Sequence, residues 1–185
     1  MDNHYEFYLR YLDGDDDAFV ELIREYKDGL ILFLDSFVHD SYLAEDLTQE
    51  TFVVIAVRKP LFVPHAQFKT WLYTIARNLA LDWIRKTQKC GNVSLETVGE
   101  IAANELSLEH SYLQYEKKAV IHKALRKLKS DYSQVLFLVY FEGFNNAQAA
   151  RIMKKSKRQI ENLLYQAKKA LKNELNKEEL FYEEF

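Results

Sequence analysis

The sequence is poor in the residues that interrupt helices. Only two prolines and five glycines occur in 185 residues, and no convincing alternation of polar and apolar residues indicates a sheet. Apolar residues instead recur at helical spacing over long stretches, such as Phe19 to Phe37. The predicted fold class is therefore all-α, and the length allows one or two domains.

Cysteine and long apolar runs are also scarce. Cys90 is the single cysteine, which excludes an intramolecular disulfide and a cysteine metal cluster. The five histidines are scattered, and no apolar run reaches the roughly 18 residues that a membrane span requires. We therefore expect a cytoplasmic protein without a metal or other cofactor and without direct membrane insertion.

Charge is distributed unevenly along the chain. Residues 1–90 carry 10 Lys or Arg against 15 Asp or Glu, and residues 91–110 carry four Asp or Glu and no Lys or Arg. Residues 111–175 reverse the balance, with 14 basic against five acidic residues. Such a local excess of positive charge favours contact with a nucleic-acid backbone, so the carboxyl-terminal half is the predicted DNA-binding part.

These features divide the chain into four predicted parts. Residues 1–90 form a helical domain in which Pro60 ends one helix and Phe68 begins the next. Residues 91–111 form an acidic linker, for which a structured connector is the alternative. A second helical domain covers residues 112–175. The acidic and aromatic tail, residues 176–185, is expected to fray, or else to dock on a partner.

The second domain contains a helix-turn-helix pattern. Asn145 with Gln148, and Ser156 with Gln159, have the spacing of two capping boxes. One face of the second helix is apolar, and the other is suited to contacts in the major groove of DNA. That second face carries Lys157, Arg158, Glu161, Asn162, Tyr165, Lys168 and Lys172. A basic helical hairpin that binds a protein, or that binds nothing, is the alternative.

A helix further upstream, from Phe68 to Lys86, has two different faces. Leu72, Ala76 and Trp83 belong to an apolar stripe that would face a core. The other face offers cations, aromatic rings and amides, which suit phosphates and unstacked bases. Its members are Lys69, Tyr73, Arg77, Asn78, Arg85 and Lys86. An ordinary surface helix has the same general pattern, so this helix alone does not indicate DNA binding.

A third helix, from Ala44 to Ala56, has a polar face. Asp46, Gln49 and Glu50 are spaced at i, i+3 and i+4, so they lie together on one side of the helix. Without further information, a solvated face explains this spacing as well as a binding surface does.

Three segments, in this order, resemble the extracytoplasmic-function (ECF) sigma factors of bacteria. They are AEDLTQETF at 44–52, FKTWLYTIARN at 68–78 running on to Asp82, and QIENLLYQAKKAL at 159–171. The resemblance covers residues 17–88 and 112–173, which correspond to the family's region 2 and region 4. It implies a protein that is not an enzyme. Such a protein is the detachable subunit that directs core RNA polymerase to promoters and helps to open them.

The resemblance also implies a partner for each domain. Asp46, Gln49 and Glu50 would bind the clamp helices of the largest core subunit. The Phe68 helix and the loop at 61–67 would read the minus ten element and hold its melted nontemplate strand. The residues implied there are Lys69, Trp71, Tyr73, Arg77 and Asn78.

The last helix would read the minus 35 element as duplex DNA. At family positions that contact this element, the chain has Glu161, Asn162, Tyr165 and Gln166, while Lys157, Arg158, Lys168 and Lys169 would contact the backbone. Many relatives carry basic residues where this chain has Glu161, Leu163 and Gln166, so the promoter sequence cannot be transferred. An anti-sigma factor is expected as a further partner, by resemblance only.

Two other functions remain open on the sequence alone. One is a stand-alone regulator that binds duplex DNA as a symmetric dimer through the same carboxyl-terminal helices. The other is an interaction module that sequesters another factor. The sequence does not define the inducing signal, the identity of the anti-sigma factor or the relative placement of the two domains.

Overall fold

A computed structural model describes residues 3–60, 67–89 and 120–183 of the chain, with residues 3 and 178–183 as backbone only. All regular elements within these ranges are helical, so the predicted all-α fold is confirmed. The expected linker at 91–111 lies outside the described residues. So do residues 61–66 of the loop that was expected to contact DNA.

Four helices form the amino-terminal unit. They are α1 (Asn3–Leu12), α2 (Asp16–Val38), α3 (Ser41–Arg58) and α4 (Phe68–Lys89). The long α2 lies at the centre and packs against the other three. Its apolar stripe buries Leu22, Leu30 and Phe33, which meet Leu47 from α3 and Leu72 from α4. One shared core therefore fixes the positions of α3 and α4.

The boundaries of these helices follow from their end residues. Asp15 accepts a hydrogen bond from the backbone of Ala18 at the start of α2, and Asp40 caps the start of α3 in the same way. Each carboxylate satisfies backbone N–H groups that have no partner within the helix. Lys59 adopts a left-handed conformation at the end of α3, directly before Pro60. Helix α2 thus begins directly after a cluster of aspartates, and the predicted end of α3 at Pro60 is confirmed.

The carboxyl-terminal unit holds the helix-turn-helix. Its described elements are α5 (120–126), α6 (Ser130–Leu136), α7 (Asn146–Met153) and α8 (Lys157–Glu183). Asn145 and Gln148 form the predicted capping box at α7, and Ser156 and Gln159 bond reciprocally at the start of α8. Lys154 takes the left-handed conformation between the two helices. The turn between α7 and α8 is thus built without a glycine.

Three features of this unit are not apparent from the sequence. Ser130 does not cap α6; its hydroxyl donates to the carbonyl of Ser36 in α2, 2.9 Å away. The end of α6 widens into a π-helical turn over Phe137–Phe141. The backbone of α8 is helical as far as Glu183, in a stretch where Lys, Glu and Leu favour helix and Lys177 pairs with Glu174 at 2.6 Å.

The two units pack directly against each other. Helix α6 lies on α2, and α7 lies on α4. Buried residues from both units form one continuous apolar core, in which Phe33 of α2 approaches Phe137 with ring centroids 6.3 Å apart. This arrangement places the carboxyl-terminal unit over one face of α4.

Candidate polymerase and DNA interfaces

The polar face of α3 is open to solvent. Asp46, Gln49 and Glu50 are all exposed, while Leu47 and Ile55 on the other side of the helix are buried in the core. Sequence reasoning missed the exposed apolar residues that share this face. They are Tyr42, Val53 and Val57, which are 83%, 56% and 77% exposed. Their spacing of four from Asp46, Gln49 and Val53 was the available signal.

An exposed surface that mixes carboxylates with apolar side chains suits a protein partner better than DNA. Carboxylates repel phosphates, whereas the apolar side chains can be buried against another protein. The basic groups that a nucleic-acid surface would need are absent from the exposed positions of α3 between Tyr42 and Val57. The geometry of α3 therefore fits a protein interface.

The outward face of α8 carries every residue predicted to contact duplex DNA. Ile160, Leu164 and Ala167 are buried and hold the helix against the unit. The predicted residues are exposed, namely Lys157, Arg158, Glu161, Asn162, Tyr165, Gln166, Lys168 and Lys169. Tyr165 is 69% exposed, and the Lys168 Nζ lies 5.1 Å from the centroid of the Tyr140 ring. Helix α8 thus presents a long polar and basic surface to solvent at these positions.

The residues predicted on α4 have more varied surroundings. Asn78 is partly exposed. Trp71 is half-buried, with its ring 5.4 Å from that of Tyr8 and 5.5 Å from that of Phe68. The Lys69 Nζ forms an ion pair with the Glu142 carboxylate at 2.8 Å and also donates to the Glu142 carbonyl at 2.9 Å. Lys69 is therefore engaged by the carboxyl-terminal unit.

Tyr73 lies elsewhere than the sequence suggested. It is fully buried, with its ring 5.2 Å from that of Phe33 and 5.1 Å from that of Phe144. Burial, followed by the neighbouring Glu142 carboxylate, raises the pKa of its hydroxyl. Tyr73 packs between α2 of its own unit, at Phe33 and Gly29, and Phe144 of the second unit, so it cannot touch a base in this arrangement.

Arg77 is held in the same covered region. Its Nε is buried and has no hydrogen-bond partner among the described residues. Burial lowers the pKa of the guanidinium, and the nearby Asp131 carboxylate opposes that effect. A buried donor without a partner destabilises this arrangement, because its hydrogen bond to water is lost and not replaced.

Two ranges of the chain match family models that correspond to the two units. Residues 22–90 match Sigma-70 region 2, and residues 118–171 match Sigma-70, region 4. The fold and these matches define a two-domain transcription initiation factor of the sigma-70 class.

Individual relatives refine this class. The ECF RNA polymerase sigma factor SigM of Bacillus subtilis strain 168 is 31% identical over 152 residues, which cover 82% of this chain and 91% of that protein. The ECF RNA polymerase sigma factor SigW of the same strain is 27% identical over 170 residues, covering 88% of this chain and 91% of that protein. The chain belongs to the ECF RNA polymerase sigma factors.

Solved structures agree with this assignment. The sigma factor RpoE of Bartonella quintana, in complex with the anti-sigma factor NepR, superimposes with a TM-score of 0.68 at 27% identity. The match covers 85% of this chain and 96% of that one. CnrH, in complex with the cytosolic domain of CnrY, gives a TM-score of 0.64 at 21% identity over 92% of this chain and 95% of that one, which supports the fold.

Two further observations concern only the described residues. None of the helices within 3–60, 67–89 and 120–183 is long and apolar enough to cross a lipid bilayer. The same ranges contain no group of three or more His, Cys, Asp or Glu placed to hold a metal ion.

Proposed function

We propose that this sigma factor binds the clamp helices of core RNA polymerase through the exposed face of α3. The observation that carries this proposal is that Asp46, Gln49 and Glu50 lie together with exposed apolar residues on one side of α3. The other side of this helix is packed in the core. Carboxylates attract the basic residues of a partner and orient it, while the flanking apolar side chains supply buried area.

The two DNA elements would then be read by separate helices. Helix α4, with Lys69, Trp71, Tyr73, Arg77 and Asn78, takes the melted strand of the minus ten element. Helix α8 takes the minus 35 duplex, with its amino-terminal residues Lys157, Arg158, Glu161 and Asn162 in the major groove and Tyr165, Gln166 and Lys168 beyond them. Core polymerase holds both domains at the spacing of the promoter, so that two weak contacts act together.

The domain boundaries proposed from the sequence serve this mechanism. An amino-terminal domain of residues 1–90 and a carboxyl-terminal domain of residues 112–175, joined by the segment 91–111, can take different separations in the free and the polymerase-bound states. The protein acts as an initiation factor in the cytoplasm, where the polymerase is, and catalyses no reaction itself.

An anti-sigma factor is the proposed regulator. RpoE of Bartonella quintana, at 27% identity, has been solved in complex with the anti-sigma factor NepR. A partner of this kind can compete with core polymerase for exposed surface on this chain. The stand-alone dimeric regulator is less well supported, because the matches cover region 2 as well as region 4.

The first test reverses the charge on α3. The double variant Asp46→Arg with Glu50→Arg should abolish co-elution with bacterial core RNA polymerase on a sizing column, because both side chains are exposed on the proposed contact face. The matched control is Glu21→Arg with Glu25→Arg, an exposed pair at the same spacing on α2. Co-elution of the α3 variant as strong as that of the control would remove this surface from the proposal.

A further inference from the structure

Helix α1 completes the carboxyl end of α3. In a continued helix the Ala56 carbonyl would accept a hydrogen bond from the N–H of residue 60, but that residue is Pro60, which has no N–H. The Tyr11 hydroxyl takes the place of this donor, 3.1 Å from the Ala56 oxygen. The Tyr8 hydroxyl donates to the carbonyl of Pro60 itself, at 2.8 Å. Two tyrosines of α1 therefore hold the last residues of α3.

Tyr8 also reaches the first turn of α4. Its ring centroid lies 5.6 Å from that of Phe68 and 5.4 Å from that of Trp71. The Phe68 and Trp71 rings are themselves 5.5 Å apart. Tyr8 and Phe68 are buried, whereas Trp71 is partly exposed. Tyr8 is thus a buried support for Trp71, and its hydroxyl is bonded to the end of α3.

The orientation of the Trp71 ring decides whether a base can stack on it. A stacked base needs an aromatic face that is parallel to it and accessible. A side chain that rotates freely loses this freedom when it is immobilised by a ligand, and the loss weakens binding. The rings of Tyr8 and Phe68, inclined to the Trp71 ring by 51° and 50°, restrict it before any DNA is present.

We propose that Tyr8 is a positioning residue for the melted strand. Its hydrogen bond to Pro60 fixes its ring, and the ring holds Trp71 in the orientation that stacks on a base. Because Tyr8 is fully buried, it acts through Trp71 and does not touch DNA. The inference rests on the proposed role of Trp71 in binding the minus ten strand. It adds α1, which lies outside the range 22–90 matched by Sigma-70 region 2, to the parts of the chain that determine strand binding.

Tyr11 provides a matched control, because it makes the same kind of bond while its ring packs elsewhere. Its hydroxyl joins α1 to α3, as that of Tyr8 does, and its ring stacks on Phe19 of α2 at 4.4 Å. Tyr8→Phe and Tyr11→Phe each remove one hydrogen bond to a backbone carbonyl and keep the ring, so they should destabilise the domain to a similar extent. Only Tyr8→Phe should change the behaviour of Trp71.

The first measurement observes Trp71 in the full-length chain without DNA. Incorporated fluorotryptophan gives a fluorine NMR resonance for each of the two tryptophans, and Trp83→Phe identifies the resonance of Trp71. We expect one sharp Trp71 resonance in the unchanged chain and in Tyr11→Phe. In Tyr8→Phe this resonance should shift and broaden, because the ring samples several orientations. A Trp71 resonance that is the same in Tyr8→Phe and Tyr11→Phe would overturn the proposal.

The second measurement concerns strand binding by the holoenzyme, which is core RNA polymerase with this chain bound. The probe is the single strand that the unchanged holoenzyme enriches most from a random-sequence DNA pool, relative to core polymerase alone. The affinity of each holoenzyme for this strand, labelled with fluorescein, is measured by fluorescence anisotropy. Partial loss of one base stack should make Tyr8→Phe bind about fivefold more weakly, while Tyr11→Phe should bind as the unchanged chain does. Equal affinities of the two variants would exclude the positioning role.

Trp71→Ala separates this proposal from the function on which it rests. It removes the stacking ring and should weaken binding of the same strand by about tenfold or more. If Trp71→Ala binds the strand as tightly as the unchanged chain, the strand contact of Trp71 and its positioning by Tyr8 are both excluded. If Trp71→Ala binds weakly and Tyr8→Phe does not, the role of Trp71 stands and only the positioning by Tyr8 fails. Co-elution with core polymerase shows that each variant forms the holoenzyme.

Discussion

Tyr8 shows how one side chain connects the first helix to the rest of its domain. It is fully buried, and its hydroxyl donates a hydrogen bond to the carbonyl of Pro60, 2.8 Å away. Burial, with a smaller effect of the neighbouring Tyr11, raises the pKa of Tyr8 to about 12. The pKa of an unfolded tyrosine is about 10. The contribution of the neutral Tyr8 side chain to the free energy of unfolding is therefore complete below a pH of about 10. It is lost as the pH rises towards 12.

Tyr8→Phe should have two effects on the free energy of unfolding. At neutral pH it should lower this free energy by about 1 kcal/mol, because the hydrogen bond to Pro60 is lost. Between a pH of about 10 and 12, the free energy of unfolding of the variant should fall less steeply than that of the unchanged chain. Urea unfolding at a series of pH values measures both. Tyr42→Phe, at a tyrosine that is 83% exposed, is the control. An equally steep alkaline decline in Tyr8→Phe would contradict the assignment.

At the scale of the element, the end of α6 decides where Glu142 points. The π-helical turn at Phe137–Phe141 bonds the Glu142 backbone N–H to the Phe137 carbonyl at 3.1 Å. Gly143 follows with φ of 70°, a left-handed conformation that costs an ordinary residue about 1–2 kcal/mol. The helix ends directly before this glycine. The wide turn could not be predicted, because the run from Val135 to Phe141 is apolar without interruption and has no helical period.

Two glycines with positive φ allow the role of this helix end to be isolated. A Cβ would meet nothing within 4 Å at either Gly143 or Gly14, so alanine at each position should lower the free energy of unfolding through backbone strain alone. Only Gly143→Ala should also lengthen the distance between spin labels at Val20→Cys and Asn173→Cys, one exposed position in each domain, because Gly143 follows Glu142 directly. Similar label distances in Gly14→Ala and Gly143→Ala would show that the helix end does not control closure.

At the scale of the whole molecule, the sequence patterns predicted two helical domains and the exposed faces of α3 and α8. Asp46 on α3 and Asn162 on α8 are exposed as their helical spacing predicted. Tyr73 is not exposed, because it packs on Phe33 of α2 and on Phe144 of the second domain, and the spacing of residues within α4 shows neither contact. The closing contacts join Asp35 to Arg126 and Lys69 to Glu142, which are 91 and 73 residues apart. No local spacing connects such residues.

The Asp35–Arg126 pair should couple the unfolding of the two domains. Its two hydrogen bonds, at 2.6 and 2.9 Å, are partly buried between the domains. Arg126→Ala leaves Asp35 without its partner and should weaken the coupling by about 2 kcal/mol. Differential scanning calorimetry should then resolve two transitions where the unchanged chain shows one. Arg24→Ala, which removes an ion pair within α2, should leave a single transition. Two transitions in the unchanged chain would contradict this coupling.

The sharing of Lys69 between Glu142 and DNA has a consequence for ion exchange. A lysine that binds a DNA phosphate normally releases roughly 0.7 of a counterion per contact from a single strand. Lys69 must first leave Glu142, and the freed carboxylate then attracts cations from solution. Ions released from the DNA are largely offset by ions gathered on the protein. Added salt should therefore weaken strand binding at Lys69 much less than binding of duplex DNA by the exposed lysines of α8.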